Sequence, residues 1–280
     1  MHSFLFMAFR IKYIESYSEK FMDDQYNRLT ESIEDLGRQG FRLIQRRNGY
    51  RYGEDTVLLS HFASLQLPGN KRMVRAVELG ANNGAASLLL LARRPNFKIV
   101  AIEKQDCAFE LLVRNINLNH QSDVIVPVLG DIRDIKNFSE VIAAENDLCF
   151  CNPPYFRVGS GPVPNREDNE DRLESRFEVH GVLEDFLSAA SYSLRFGGIF
   201  VMVHRAGRLA EVCELMRKQK IEPTQIRFIH PDVTRPATAF LICGKKSSAS
   251  GGFKVLPPLI LRDTEGQICQ ELNDIYNSEG

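Results

Sequence analysis

The sequence has little net charge: 35 basic side chains face 36 acidic ones in 280 residues, a formal total of −1. Wholesale coating of nucleic acid is therefore excluded, although a local basic face is not. It also lacks any apolar run near the roughly 20 residues that span a bilayer, so no membrane association is expected. The six cysteines (107, 149, 151, 213, 243 and 269) include no C-x-x-C pair. They read as reduced thiols of a cytoplasmic protein, with no disulfide frame and no metal. Cys149 and Cys151 are expected on opposite faces of an apparent strand. No internal repeat is evident. The opening MHSFLFMAFRIKYIESYSEKF has a short apolar patch, but Arg10 and Lys12 follow it and an A-x-A-like cleavage site does not. It reads as an extension, from an upstream start codon, and not as a signal peptide. What is present is an ordinary globular composition, 44% hydrophobic and 25% charged, long enough to bury a sizeable core.

Residues 1–30 carry no period and are assigned no fold. From Val74 onward apolar runs alternate with amphipathic segments. VRAVELG (74–80), KIVAIE (98–103), VIVPVLGD (124–131), DLCFCN (147–152) and GGIFVMVH (197–204) read as strands. Residues 84–93, 107–119, 182–196 and 207–220 have helical spacing. QIRFIHP (225–231) and ATAFLICG (237–244) are strands with no helix between them, hence antiparallel neighbours. The pattern predicts an α/β fold: a doubly wound, mostly parallel, seven-stranded sheet with one antiparallel strand at its edge. One domain is expected over 31–280, with a first half near 74–150, a second half near 151–245 and a tail near 253–280. GKKSSASGG (244–252) is a flexible stretch, and the long polar segment after Tyr155 is expected to be a functional or disordered loop.

In a doubly wound sheet, ligands sit beyond the carboxyl ends of the strands, at the switch point. Four strand ends carry chemistry. In ELGANNGA (78–85), Gly80 and Gly84 bracket a tight strand-to-helix turn that lets a ligand approach the backbone; it is also compatible with a plain turn. Glu103 ends the next strand about 20 residues on, where a carboxylate can accept both ribose hydroxyls; a solvated surface charge is the alternative. Asp131 in LGDI could read an adenine edge together with the next backbone amide, or cap a helix. The fourth end is Asn152-Pro153-Pro154-Tyr155. An exocyclic aromatic amine is a poor nucleophile because its lone pair is delocalised into the ring. The Asn152 side-chain oxygen and the Pro153 carbonyl can accept its two hydrogens and steer the lone pair out of the base plane, toward an electrophilic methyl. The prolines hold the acceptors rigid, and Tyr155 offers a stacking face.

The set ELGANNG, Glu103, GDI and NPPY resembles the class I S-adenosylmethionine-dependent methyltransferases that modify amino groups. Four further blocks resemble the tRNA(Val) (adenine-37) N6-methyltransferase family: 33–63, CNPPYFRVGSG (151–161), 175–212 with VHRAGRLAE, and 254–276 with PPLI. The resemblance runs from about residue 30 to the C-terminus. It implies a Rossmann-like methyltransferase using S-adenosylmethionine, with Asn152, Pro153, Pro154 and Tyr155 at the target base. Glu78, Gly80, Asn82 and Gly84 would then line the methionine end, Glu103 the ribose, Asp131 and Ile132 the adenine, with Asn152 also near the cofactor. The tRNA anticodon loop is the implied partner of a monomer or weak dimer. Phe156, Arg46, Arg47, Arg51 and Arg176 are candidate RNA contacts, and QRRNGYRYGED (45–55) mixes arginine with Tyr50 and Tyr52 in the manner suited to phosphate and base contacts. Loop 157–174 would close over the flipped base. Two positions depart from the family pattern: Asn82 replaces the middle glycine of the cofactor turn, and Phe177 stands where histidine is usual. A glutamine amide of a release factor presents the same lone-pair problem, as does an adenine in DNA. A non-catalytic RNA-binding relative is the alternative that Asn82 raises.

Overall fold

In the computed structural model, the described residues are 26–48, 51–67, 69, 73–155, 182–249 and 251–277. From Val74 the expected alternation is built as β3 (Val74–Leu79), α2 (Ala85–Arg93), β4 (Phe97–Glu103), α3 (Asp106–Leu118), β5 (Ile125–Leu129) and β6 (Asn146–Cys151). It continues as α4 (Leu183–Ser193), β7 (Leu194–Arg205), α5 (Leu209–Lys218), β8 (Ile221–Asp232) and β9 (Ala239–Lys246). The helix expected to reach Phe196 stops at Ser193, and Leu194 already starts β7. Strand β6 is buried along its whole length. A strand covered on both faces reads as a continuous apolar run, which is why DLCFC shows no alternation. Its side chains nevertheless divide between two cores. Leu148 and Phe150 join α1 (Glu54–Ser64), α2 and α3 on one face, whereas Cys149 and Cys151 meet α4 and α5 on the other. The two cysteines thus share a face, contrary to expectation, because the strand repeat is two residues.

The strand order is β5-β4-β3-β6-β7-β9-β8, parallel except for β9, which runs antiparallel to both its neighbours. The antiparallel strand is therefore internal and not at the edge. The free side of β8 is covered by β10 (Lys254–Val255) and β11 (Leu259–Arg262), which extend the sheet to nine strands. An uncovered edge would leave a row of unpaired backbone groups. Pro257 and Pro258 cannot donate to a ladder, so the cover comes in two short pieces. After them α6 (Gln270–Asn277) packs Leu272 and Ile275 into the first core.

An antiparallel hairpin precedes the sheet: β1 (Glu31–Asp35) and β2 (Arg42–Arg46), with Ile33 opposite Ile44. Arg114 of α3 forks both oxygens of Glu31 at 2.7 Å. Beside it, Asn115 of α3 and Asn119 at the C-cap of that helix meet the free edge of β2. Asn115 accepts the Ile44 N–H (2.6 Å) and donates to the Ile44 carbonyl (2.9 Å). Asn119 does the same for Arg42, at 2.8 and 2.7 Å. The Asn115 amide also donates to the Asn83 carbonyl (2.9 Å), so the hairpin is tied to the turn after β3. Strand β3 pairs with β4 on one side and β6 on the other. This is the switch point, and it places the turn after β3 beside the segment after β6.

Candidate active site

The turn from β3 to α2 is left-handed at three positions: Gly80 (φ 70°), Asn82 (φ 48°) and Gly84 (φ 83°). A Cβ at Gly84 would stand 2.6 Å from Leu112 Cδ1, and one at Gly80 would stand 3.3 Å from the Phe186 ring. The left-handed backbone favours glycine at both, and a side chain would in addition press on Leu112 or on Phe186. Asparagine is the non-glycine residue best suited to the third. Its Oδ1 folds back onto the Asn83 N–H at 2.8 Å. The Asn83 side-chain nitrogen is buried with no hydrogen-bond acceptor, a donor left over inside the turn.

Two acidic groups frame this turn. Glu103 accepts the Asn82 N–H at 2.7 Å on one oxygen, and the Lys104 and Gln105 N–H groups at 2.8 Å on the other. The carboxylate expected to face a ribose therefore also fixes the turn's path. Glu78 is buried and accepts a hydrogen bond from the Ser87 hydroxyl. Burial pushes its pKa up to about 8, with the nearby Glu103 charge adding to the rise and the hydrogen bonds from Ser87 opposing it.

At the end of β5, Asp131 caps the 3-10 turn Ile132–Asn137 by accepting the Arg133 N–H at 3.0 Å. Its carboxylate also meets Lys104 Nζ at 2.9 Å and Arg133 Nη2 at 2.5 Å. Burial acts to raise its pKa, but these partners hold it well below the usual carboxylate range. The capping role is thus realised, and an adenine edge would compete with Arg133 for the same oxygens. Ile132 is buried beside it.

Beyond β6 lies Asn152-Pro153-Pro154-Tyr155. The Tyr155 hydroxyl stands 2.6 Å from Asn152 Oδ1 and 2.7 Å from Asp55 Oδ2, at the start of α1. Arg205 lies over the Tyr155 ring, its guanidinium carbon 4.4 Å from the centroid, and its Nη2 is 4.0 Å from the Asp55 carboxylate. His204 meets the same ring edge-on at 5.6 Å. Its Nδ1 accepts the Arg205 N–H at 2.9 Å, its Nε2 is buried without an acceptor, and burial next to Arg208 lowers its pKa to about 4. Arg208 reaches the Tyr155 carbonyl at 3.4 Å. One face of Tyr155 is thus covered by a cation.

The fold therefore brings together Glu78, Gly80, Asn82, Gly84, Glu103, Asp131, Ile132 and Asn152 to Tyr155 at one end of the sheet. Phe156, Arg176, Phe177, loop 157–174, Tyr50, Lys71 and Arg72 lie outside the described residues. Arg46 ends β2, Arg47 follows it, and Arg51 is paired with Glu34 at 2.6 Å. Tyr52 packs against the first core, so its ring is not a free stacking face. Arg93 and Arg94 are spent on backbone carbonyls, of Ile275 and of Ser64 and Leu67 respectively. The sequence pattern assigns no role to Asp55, Asn115, Arg205 or Arg208. Asp55 lies inside the 33–63 block, but no spacing rule links it to Tyr155. Among the described residues no helix is long and apolar enough to cross a membrane, and no cluster of side chains could hold a metal ion.

Residues 69–146 match the TRM5/TYW2 methyltransferase domain. A tRNA1(Val) (adenine(37)-N6)-methyltransferase of Porphyromonas gingivalis is 29% identical over 172 residues, which cover 61% of this chain and 65% of that relative. The release factor glutamine methyltransferase of Aliivibrio fischeri is 26% identical over 121 residues, 43% of this chain and 39% of its own. Among solved structures, a predicted O-methyltransferase from Agrobacterium tumefaciens superposes with a TM-score of 0.62 at 20% identity, covering 81% of this chain and 98% of its own. M. jannaschii TYW2 in complex with AdoMet superposes with a TM-score of 0.52 at 14% identity, covering 79% and 87%. The chain thus has the fold of the class I S-adenosylmethionine-dependent methyltransferases, and its sequence is similar to the tRNA1(Val) (adenine(37)-N6)-methyltransferases.

Proposed function

We propose that this protein transfers a methyl group from S-adenosylmethionine to the exocyclic N6 of an adenine in tRNA, at position 37 of tRNA(Val). The observation that carries the reading is the placement of two segments side by side at the switch point. One is a left-handed turn with a spare buried donor, and the other is the rigid Asn152–Tyr155 tetrapeptide. The turn fits the cofactor: its glycines leave room for close backbone approach, and Asn83 offers an N–H2 group that no protein atom accepts.

S-adenosylmethionine, when bound, supplies an electrophilic methyl on a sulfonium. Glu78, Gly80, Asn82 and Gly84 would hold its methionine end, Glu103 its ribose, and Asp131 with Ile132 its adenine. Asn152 and the Pro153 carbonyl accept the two hydrogens of the target amine and turn its lone pair out of the base plane. Their rigidity leaves little reorganisation at the moment of reaction. Stacking on Tyr155 contributes about 1–3 kcal/mol to holding the base. A strong general base is unnecessary if the proton leaves after transfer. An anticodon loop makes the unstacking of the base cheap, and Phe156, Arg46, Arg47, Arg51 and Arg176 are the candidate contacts to the RNA. The left-handed Asn82 keeps the backbone that glycine would adopt, which favours an active enzyme over a non-catalytic relative.

The test is mass spectrometry of nucleosides from unmodified tRNA incubated with the protein and S-adenosylmethionine. N6-methyladenosine beside the anticodon of tRNA(Val) is expected. Methyl transfer to a release-factor glutamine alone would keep the site chemistry and overturn the substrate.

A further inference from the structure

The Tyr155 hydroxyl faces two acceptors with one hydrogen. Asp55 Oδ2 is 2.7 Å away and Asn152 Oδ1 is 2.6 Å away. Both cannot be served. A carboxylate is the stronger acceptor, because charge-assisted bonds are roughly twice as strong as neutral ones. With the hydrogen given to Asp55, only lone pairs of the hydroxyl face Asn152, and a carboxamide oxygen is repelled there. A half-turn about the last side-chain torsion exchanges Oδ1 and Nδ2 without changing the shape of the group. The amide nitrogen then donates to Tyr155, Tyr155 donates to Asp55, and Oδ1 is turned to the opposite side of the carboxamide.

We propose that Asp55 is a positioning residue: through the Tyr155 hydroxyl it sets which end of the Asn152 carboxamide is presented as acceptor to the target amine. This inference rests on the methyl-transfer reading. A second observation supports the chain of bonds. Arg205 sits over the Tyr155 ring and its guanidinium approaches the Asp55 carboxylate at 4.0 Å, so one cation anchors both ends of the Tyr155–Asp55 pair. Asp55 lies in the first turn of α1, in a segment packed in the first core, so the anchor is rigid. Without Asp55 the hydroxyl is free to donate to Asn152 Oδ1. That removes the acceptor from the amine and leaves an N–H2 group, a donor, facing donor hydrogens.

The experiment uses the full chain with Asp55→Asn, Tyr155→Phe and the double variant. For Asp55→Asn, kcat should fall by about tenfold or more, while KM for tRNA and the Kd for S-adenosylmethionine stay within about twofold. The double variant should lose no more than Tyr155→Phe alone, because Asp55 acts only through that hydroxyl; additive losses would overturn the proposal. Nuclear magnetic resonance reads the chain without turnover. The Asn152 side-chain N–H2 signals, assigned by their loss in Asn152→Asp, should show one hydrogen protected from exchange in the parent protein, weaker protection in Asp55→Asn, whose neutral amide oxygen no longer outcompetes that of Asn152, and none in Tyr155→Phe. Unchanged protection in Asp55→Asn refutes the proposal whatever the activity. Protection as expected, with no methyl transfer to any amine, upholds the chain of bonds and overturns the proposed function instead.

Discussion

Replacing Glu78 with glutamine tests how the burial beneath the cofactor turn is tolerated. Glu78 is 4% exposed, and its pKa moves from an ordinary 4.5 to about 8. A carboxyl with a raised folded pKa favours the protonated, folded form. Its contribution is intact below pH 4.5 and is lost as the pH rises through about 8. Each tenfold change in a protonation equilibrium is worth about 1.4 kcal/mol, so the full loss approaches about 5 kcal/mol. Glutamine keeps the shape and an acceptor for Ser87 but does not titrate. Its extra N–H2 group adds a constant penalty of about 1–3 kcal/mol if it finds no acceptor. The slope against pH, not the absolute stability, is therefore the informative quantity. Urea unfolding followed by circular dichroism suits the chain, which has no tryptophan to report by fluorescence. The parent should lose stability relative to Glu78→Gln between about pH 5 and 8 and run parallel to it above that. Of the groups facing Glu78, Cys151 has a thiol that burial raises far above the ordinary range, so it does not titrate in this window. Parallel curves from pH 5 to 9 would refute the assignment of a neutral, buried carboxyl.

Three further outcomes are expected. Gly84→Ala places a Cβ against Leu112 at a left-handed residue and should cost about 1–3 kcal/mol in unfolding free energy; a smaller Leu112 side chain should restore only the steric part. Arg114→Met leaves the buried Glu31 carboxylate without its fork and should cost about 3 kcal/mol or more, with most of the loss recovered by adding Glu31→Gln. Asn82→Gly preserves the left-handed turn and removes a side chain from its rim. Melting should change little while calorimetry shows tighter S-adenosylmethionine binding, and weaker binding would show that the Asn82 side chain contributes a contact.

The strands and helices after Val74 were legible because each is a continuous apolar run or a helically periodic one, set apart from its neighbours by polar or turn residues. The side on which β9 enters the sheet was not: a short connection specifies antiparallel pairing but not which neighbour comes next. The hairpin at Glu31–Arg46 left little trace, since ESIED and RLIQR are short and their fixing partners, Arg114, Asn115 and Asn119, lie about 70 or more residues away. At the site, the glycines, the acidic strand ends and NPPY were readable because each closes a strand. The supports were not. Nothing in local sequence tells that Glu103 accepts three backbone N–H groups, that Lys104 and Arg133 occupy Asp131, or that Asp55 reaches Tyr155 from 100 positions earlier.

The Asn115 and Asn119 amides, one in α3 and one at its C-cap, act toward β2 as a counterfeit strand. They offer Ile44 and Arg42 the paired donor and acceptor that a neighbouring strand would offer, but for two rungs only. A true third strand would expose a new edge of its own and pass the hazard of chain-to-chain pairing outward. A helix has no such edge to pass on. The β2 edge of the hairpin is thereby closed to templated growth, and on that side its ladder stops within the same molecule.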